Sequence, residues 1–414
     1  MTPQIKQRIE QIRRGEVPDG YKKTKVGVVP NEWEETRFKK MFSRLSRKNK
    51  ENNDNVLTIS AQYGLISQRD FFNKDIASED KSNYFLLHKG EFAYNKSYSN
   101  GYPFGALKRL DMYDKGIVSP LYICFSANEN NECPDFYVHY FEAGMMNREI
   151  QAFAQEGARN HGLLNISVDD FFNSYLLMPP RPEQEKIAEI LAAQDKLIAL
   201  KEKLIEEKKR QKKALMQQLL TGKQRFHVFF DEWCHKRISD ICDVLDTLRK
   251  PLNASERAGR KKEYPYYGAN GIVDYIDEYL LDDSVILLAE DGGNFENFNN
   301  KPIAYWVEGK CWVNNHAHIL KPQKKYCEKF VFYALEHKDI RVYINGTTRS
   351  KLTQEDLLAI DIFLPTQIEE QQMIAKILGA LDREVLLLQK DLDQEKQKKK
   401  ALMQLLLTGI VRTK

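Results

Sequence analysis

The chain has 414 residues, of which 42% are hydrophobic and 11% aromatic, enough to fill the cores of two or three domains. Its 63 basic and 59 acidic residues leave a net charge of only +4, so the total charge indicates neither a nucleic-acid partner nor an acidic ligand. Six scattered cysteines, a polar N-terminus and no apolar run of about 18 residues exclude a disulfide scaffold, a secretory signal and a membrane span. We therefore expect a cytoplasmic protein without contact to a membrane.

The chain begins with an entry segment, residues 1–34, and continues into a first globular region, residues 35–178. Runs such as "EFAYNKSY" and "PLYICFSA" are aromatic or β-branched and are separated by Gly, Asn and Asp turns. Such runs favour short strands. A helical pattern is mainly limited to 134–155, so the sequence predicts a mixed α/β domain.

The same plan then recurs. Residues 179–222 form a central helix, 223–236 a junction, 237–363 a second globular region and 364–414 a C-terminal helix. The helices align without a gap at an offset of 187 residues, from Gln184 and Gln371 onward, and 20 of 39 aligned residues are identical. Trp33 and Trp233 recur upstream at an offset of 200. This pattern indicates an internal duplication of the whole unit.

Both long helices carry a seam of mostly apolar residues at alternating spacings of four and three, which is typical of a coiled coil. About 38 residues make a rod about 57 Å long. The sister helix is the expected partner, and a homodimeric coiled coil is the alternative. The seam residues are Ile187, Leu191, Gln194, Ile198, Lys201, Ile205, Lys208, Lys212, Leu215 and Leu219 in the first copy, and Ile374, Leu378, Leu381, Val385, Leu388, Leu392, Glu395, Lys399, Leu402 and Leu406 in the second.

Two common catalytic motifs are missing from the sequence. Gly222-Lys223 lacks the earlier glycine and the following hydroxyl residue of a phosphate-binding loop. The Pro179-Pro180 pair lacks the flanking residues that a DNA amino-methyltransferase requires. The sequence therefore encodes neither an ATP motor nor methyl transfer.

A metal site and a nuclease site are two further possibilities. Cys311, His316 and His318 lie close together in sequence, but in a strand the cysteine and the histidines point to opposite faces. Glu290 and Asp291 end an apolar strand, as in some nucleases, but no Glu-x-Lys follows. We predict no metal in this chain and a simple glycine turn after the strand.

Polar, basic and aromatic loops recur at matching places in the two halves. Arg, Lys, Asn and His contact phosphates and base edges in protein–DNA complexes, although such loops are also common on ordinary solvated surface. The candidate DNA-binding residues are Lys96, Tyr98, Tyr102, Lys108, Arg109, Arg159, Asn160 and His161 in the first half, and Asn270, Asn314, Asn315, His316, Arg349, Ser350 and Lys351 in the second.

Four motifs together resemble the specificity subunit of type I restriction-modification systems. They are the entry "KTKVGVVPNEW", the junction "LLTGKQRFHVFFDEW", the helix starts "LMPPRPEQEKIAEIL" and "FLPTQIEEQQMIAKIL", and the repeated "ALMQ.LLTG" endings. The departures are small: His227-Val228 interrupts the junction, and Thr366 replaces a proline at the second helix start. The resemblance covers nearly the whole chain.

This resemblance implies an α+β fold with two pseudo-symmetric target recognition domains, separated by two long antiparallel helices that form a coiled coil. Each domain would read one half of a split, asymmetric site in double-stranded DNA. Two methyltransferase subunits and two motor-nuclease subunits would bind this non-catalytic chain. S-adenosylmethionine, ATP and Mg would bind those partners, leaving no cofactor in this chain.

Within this scheme the candidate residues divide by role. Positioning phosphate contacts are expected from Lys96, Lys108, Arg109 and Lys351, and base-edge contacts from Asn160, Asn270, Asn315 and Arg349. Three alternatives stay open: the specificity subunit of a methylation-only complex, a stand-alone DNA-binding regulator, and a coiled-coil scaffold that does not bind nucleic acid.

Overall fold

The structure, a computed structural model, describes residues 2–60, 64–72, 80–98, 101–128, 133–156, 164–346 and 350–413. It divides into two compact units, one formed by Met1–Lys201 with Asp391–Lys414 and the other by Glu202–Lys390. The division falls inside the two long helices and not at their ends, where the sequence suggested domain limits. Those limits stay a prediction.

The first unit alternates short strands with short helices. Its elements in chain order are α1 (Pro3–Arg13), β1 (Tyr21–Lys23), β2 (Val28–Pro30), β3 (Glu34–Arg37), α2 (Phe38–Met41), β4 (Phe42–Leu45), β5 (Leu57–Ser60), β6 (Gly64–Ser67), α3 (Gln68–Phe72), β7 (Phe85–His88), β8 (Phe92–Asn95), β9 (Ala106–Arg109), β10 (Lys115–Val118), β11 (Ile123–Ala127), α4 (Pro134–Glu142), α5 (Asn147–Phe153), β12 (Gln155–Glu156), β13 (Leu164–Asn165), α6 (Val168–Asn173), β14 (Tyr175–Met178) and the long helix α7 (Arg181–Leu219), of which it holds the part up to Lys201.

An antiparallel sheet in the order β4-β11-β8-β9 lies at the centre of the first unit. Its core is aromatic, because the residues that alternate toward the helices are phenylalanines. The ring centroid of Phe38 lies 4.7 Å from those of Phe42 and Phe171, and Phe92 stacks on Phe125 at 5.2 Å. All five rings are buried, and such contacts add roughly 0.5–1.5 kcal/mol per pair beyond area burial.

The second unit completes α7 and adds a second mixed region. Its further elements are β15 (Trp233–Arg237), α8 (Ile238–Ile241), β16 (Cys242–Val244), α9 (Ala254–Arg257), β17 (Tyr264–Gly268), β18 (Gly271–Ile276), β19 (Leu281–Ala289), β20 (Ala304–Val313), β21 (Ala317–Pro322), α10 (Glu328–Glu336), α11 (Gln354–Ala359), β22 (Asp361–Pro365) and the long helix α12 (Ile368–Leu406), which it holds up to Lys390.

The sheet of the second unit has the order β16-β21-β19-β20-β17-β18 and is antiparallel except between β17 and β20. Its core is mainly aliphatic, with Ile286, Leu288 and Leu320 packed under Phe330 and Leu335 of α10. In each unit a capped short helix and a strand precede the long helix: Ser167 caps α6 before β14, and Thr353 caps α11 before β22. The mixed helix and strand content predicted for both globular regions is confirmed.

The two long helices pack together, as the seam predicted. Every predicted seam residue of α7 and α12 is buried or half-buried. Partner numbers on α12 fall as residue numbers on α7 rise, so the pairing is antiparallel. Along α7 this order is shown by Gln194 with Glu395, Lys201 with Asp391, Lys208 with Glu384 and Lys212 with Asp382. Asp195 pairs with Lys399, one helical turn further along α12.

The first turn of each long helix contains a buried glutamate, which pairs with an arginine from the segment following the other helix. In the second unit Arg225 forms two hydrogen bonds with Glu370, at 3.0 and 2.8 Å. In the first unit Arg412 forms two with Glu183, at 2.8 and 2.9 Å. Arg225 and Arg412 are 187 residues apart, and so are Glu183 and Glu370, which is the offset found in the helices. The duplication therefore includes the ion pair that fixes each helix start.

Among the described residues, no helix has the length and apolar character needed to cross a membrane.

Candidate nucleic-acid interface

Four loops of the second unit converge at one end of its sheet. They comprise residues 268–270, 290–293, 313–316 and 350–352, which we call the second loop cluster. The backbone N–H of Glu290 donates to the carbonyl of His316 at 2.9 Å, and that of Leu352 donates to the carbonyl of Glu290 at 2.7 Å. The Asn270 amide donates to the carbonyl of Gly292 at 2.9 Å. Backbone hydrogen bonds thus bring together segments that lie up to about 80 residues apart in sequence.

Most second-half candidate residues lie in this cluster. Asn270 and Asn315 are exposed, although the amide nitrogen of Asn270 is engaged by the Gly292 carbonyl. Asn314 is buried, and its side-chain oxygen accepts the N–H of His316 at 2.8 Å. The ring of His316 lies 2.6 Å from Asp291. The two exposed asparagines are therefore the side chains of this set best placed to reach base edges.

Ser350 and Lys351 border the same cluster. Lys351 is exposed, and its ammonium lies 3.0 Å from a carboxylate oxygen of Glu290, while Ser350 is half-buried. Arg349 lies outside the described residues. The interpretation of these residues as DNA contacts stays a prediction.

A largely buried group of charges adjoins the cluster. Sequence reasoning singled out three of its five members, His318, Glu290 and Lys351, but missed Asp246 and Arg249. The Asp246 carboxylate lies 2.6 Å from the His318 ring and 3.1 Å from the Arg249 guanidinium. Arg249 also pairs with Glu290, which in turn pairs with Lys351. We call these five residues the ionic cluster. Asp246 and His318 are 72 residues apart, so no local sequence signal could connect them.

In the ionic cluster, hydrogen bonds lower the pKa values of the two carboxylates more than burial raises them. Burial would raise the pKa of Asp246, but hydrogen bonds from His318 and from the N–H of Ile319 hold this pKa below its ordinary value. Burial would likewise raise the pKa of Glu290, but hydrogen bonds from Arg249 and Lys351 lower it. Both carboxylates are therefore stabilised in the charged form.

Asp246, Glu290 and His318 are also the only described trio whose ligand atoms lie close enough, within 4.8 Å of one another, to hold a metal ion. Two cations already neutralise the carboxylates, and both ring nitrogens of His318 are engaged, one by Asp246 and one by the Leu352 carbonyl at 3.0 Å. This is the arrangement of an ion-pair network. Cys311 packs instead in a separate apolar cluster with Leu287 and Ile319.

The charged network predicts a pH-dependent stability. Because the folded-state pKa values of Asp246 and Glu290 are depressed, their contribution to the free energy of unfolding is complete above the unfolded-state pKa of about 4 and is lost as pH falls through the folded-state values. We expect Asp246→Asn to weaken this loss, measured by denaturant unfolding from neutral pH to about pH 3. The exposed Asp19→Asn is the control, and an unaltered pH dependence in Asp246→Asn would contradict the prediction.

The first unit has a comparable loop at the same place in its sheet, between β8 and β9. The backbone carbonyl of Lys96 accepts a hydrogen bond from the N–H of Leu164 at 3.1 Å. The backbone carbonyl of Glu290 accepts one from the N–H of Leu352 in the same way. Lys96 is half-buried, and burial lowers its pKa, while Tyr98 is 63% exposed. This loop and the segment before α6 therefore correspond to the second loop cluster. Arg159, Asn160 and His161 belong to that segment but lie outside the described residues.

Tyr102, Lys108 and Arg109 are held by carboxylates. The Tyr102 hydroxyl donates to Glu142 at 2.8 Å, and Lys108 pairs with the same carboxylate. Arg109 lies 2.6 Å from Asp135, and the two basic side chains are only 12% and 19% exposed. Lys108 and Arg109 belong to β9 and not to the loop. A phosphate contact by either would have to compete with an existing ion pair, and that role stays a prediction.

Comparisons with known proteins fit this repeated architecture. The family model described as "Type I restriction modification DNA specificity domain" matches twice, at residues 30–210 and 231–396. A putative type I restriction enzyme MjaX specificity subunit from Methanocaldococcus jannaschii is 25% identical over 96% of this chain and 97% of its own length. The MjaVIII specificity subunit of that organism is 26% identical over 72% of this chain and 75% of its own length.

A putative specificity subunit from Haemophilus influenzae is 34% identical over a shorter stretch, 36% of this chain and 37% of its own length. Among solved structures, the S subunit of a type I restriction-modification system from M. genitalium has a TM-score of 0.58 at 16% identity, over 90% of this chain and 96% of that one. A chain from a structure addressing assembly of the type I R-M system reaches 0.52 at 15% identity, over 92% and 99%. The chain therefore belongs to the family of type I restriction-modification DNA specificity proteins.

Proposed function

We propose that this chain is the DNA sequence-specificity subunit of a type I restriction-modification complex and performs no catalysis itself. Each unit reads one half of a bipartite site in double-stranded DNA. The observation that carries this proposal is the specificity-domain match on each of the two halves of a chain whose long helices pair antiparallel. A duplicated reader suits a target made of two half-sites, with the two long helices setting the gap between them.

The two half-sites should differ, which makes the target asymmetric. At equivalent places after β8 and β19, the first unit carries Lys96 and the second carries Glu290, and the ionic cluster of the second unit does not recur around Lys96 among the described residues. Different loop chemistry at matched positions reads different base edges.

Replacing Asn315 is the most specific single-residue test of base recognition by the second unit. An asparagine can form two hydrogen bonds with adenine, so Asn315→Ala should cost about 1–3 kcal/mol at one base pair of the second half-site and relax its preference there. Binding of the assembled complex to targets with each base pair replaced measures this effect. Asn299→Ala, another exposed asparagine outside the loop cluster, is the control; equal behaviour of the two variants would reject the assignment.

Partner subunits supply the chemistry in this proposal. Two methyltransferase subunits, which carry S-adenosylmethionine, dock on the paired helices, where Leu200 of α7 and Leu387 of α12 remain 56% and 64% exposed. Exposed leucines on a helix surface suit a partner's helix. Two motor-nuclease subunits bring ATP and Mg, and the complex works in the cytoplasm.

A specificity subunit of a methylation-only complex is the second candidate, because the same chain would serve both. The neighbouring genes distinguish the two: a methyltransferase gene without a motor-nuclease gene means modification only. For either candidate, the chain purified with its methyltransferase should select, from randomised duplexes, sequences with two specified parts and a fixed unspecified gap. Selection of one continuous motif, or of none by an active complex, would reject the bipartite reading.

A further inference from the structure

Each unit contains a groove beside the first turns of its long helix, and the two grooves are equivalent in the repeat. In the first unit α4, preceded by Cys133, borders the groove, and in the second unit α10, preceded by Cys327, does so. We call them the α4 groove and the α10 groove, with volumes of about 490 and 610 Å³. Small residues at aligned positions, Ala192 and Gly379, line the two grooves and leave room for another chain.

The charge of the groove is reversed between the two units. In the repeat, Glu189 of the α4 groove aligns with Lys376 of the α10 groove, and Glu185 aligns with Gln372. The rest of the lining follows the same trend. Acidic residues dominate the α4 groove, whereas cations outnumber acids in the α10 groove. Its cations are Lys324, Lys329, Lys376 and Arg383, and its acids are Glu308 and Glu328, of which Glu328 pairs with Lys321.

The acidic groove is neutralised internally, and the basic groove is not. Each acidic residue of the α4 groove has a cation: Asp135 has Arg109 at 2.6 Å, Asp195 has Lys399 at 2.5 Å, Glu185 has Arg181 at 2.9 Å, and Glu189 has Lys186 at 2.8 Å. Within the part of the chain that the structure describes, Lys324, Lys376 and Arg383 form no salt bridge. The α10 groove therefore has positive charge available for a ligand.

The walls of the α10 groove favour a polypeptide over DNA. Trp306 and Tyr326 line it, and the ammonium of Lys329 lies 5.3 Å from the Trp306 ring centroid. A concave site with an aromatic wall, a close helix approach and surrounding cations is typical of a protein hot spot. Ser284 of β19 also lines the groove and lies six residues, or about 20 Å, along the strand from Glu290, away from the proposed DNA contacts.

We propose that the α10 groove is the primary docking site for an acidic segment of the methyltransferase partner, and that the α4 groove takes the same segment weakly, so that two copies bind in order. The inference rests on the proposed function, because that function supplies the partner. Charge complementarity decides the order: an acidic segment gains from the free cations of the α10 groove, whereas the α4 groove offers it only carboxylates and cations that are already paired.

The test titrates the full chain with the methyltransferase of the neighbouring gene and resolves the one-copy and two-copy complexes by native mass spectrometry, at low and high salt. Lys376→Glu should weaken the first binding step about tenfold, and its repeat-matched counterpart Glu189→Lys should strengthen the second step by a similar factor. Both side chains are exposed, so both variants should fold, which circular dichroism checks. High salt should reduce the difference between the steps.

Three results would overturn the inference. If the two binding constants of the unaltered chain differ only by the statistical factor for two equal sites, the binding is not ordered. Unchanged constants in Lys376→Glu would remove the α10 groove as a docking site. Weaker DNA binding by the Lys376→Glu complex, with methyltransferase affinity intact, would assign the groove to nucleic acid. Absence of any complex with the unaltered chain is a separate result, because it would reject the proposed function before any variant is compared.

Discussion

Inserting three heptads into both long helices should lengthen the gap of the methylated target by about nine to ten base pairs while leaving both half-sites unchanged. Twenty-one residues add about 31 Å of helix, close to one turn of B-DNA. Whole heptads keep the seam facing its partner. The insertions belong between Lys201 and Glu202 in α7 and between Lys390 and Asp391 in α12, because Lys201 pairs with Asp391 across the helices.

DNA twist provides the matched control for this experiment. A single heptad in both helices adds about 10 Å, or three base pairs, which turns the second half-site by about a third of a helical turn away from its reader. Methylation should therefore fall sharply with one heptad and recover with three. Modified-base sequencing measures both gaps. A gap that stays the same in a folded, active three-heptad variant would contradict the role of the helices as a ruler.

Removing Arg225 should be among the most destabilising single substitutions in the second unit. Glu370 is 1% exposed, and Arg225 is its hydrogen-bonding partner among the described residues. Arg225→Ala leaves this carboxylate buried and unpaired, which typically costs about 3 kcal/mol or more. Denaturant unfolding of the full chain measures the loss, and adding Glu370→Gln should recover most of it because the charge is then gone.

The equivalent arginine of the first unit supplies an internal comparison. Glu183 keeps a second donor when Arg412 is removed, because the Trp33 indole N–H donates to it at 2.9 Å. The Trp233 indole N–H is buried and has no hydrogen-bond partner among the described residues. Arg412→Ala should therefore cost about 1–2 kcal/mol less than Arg225→Ala. Equal losses would show that Trp33 does not compensate.

The long helices were the most predictable part of the fold. Their seam repeats every seven residues over most of their length, and a buried face of that kind is visible in local spacing. The polar residues of the seam, Gln194 and Lys201, also fit, because each donates a hydrogen bond to a carboxylate on α12. The internal duplication also predicted that the two halves share one architecture. Residue propensities alone do not show this.

The candidate site was less predictable, since its geometry depends on contacts between distant segments. The loop residues Asn270 and Asn315 could be selected by composition and lie in one cluster. No local pattern could indicate that Asp246 would lie near them, because its partner His318 follows 72 residues later. Nor could it show that Lys108 pairs with Glu142, a contact between a strand and a helix.

The most direct measurement is single-molecule sequencing for modified adenines in DNA from cells that express this chain with its neighbouring methyltransferase. A specificity subunit with two different readers predicts a split motif of two unlike half-sites and a fixed gap, which disappears when this chain is deleted. An active methyltransferase that produces no such motif, or the same motif without this chain, would contradict the proposed function.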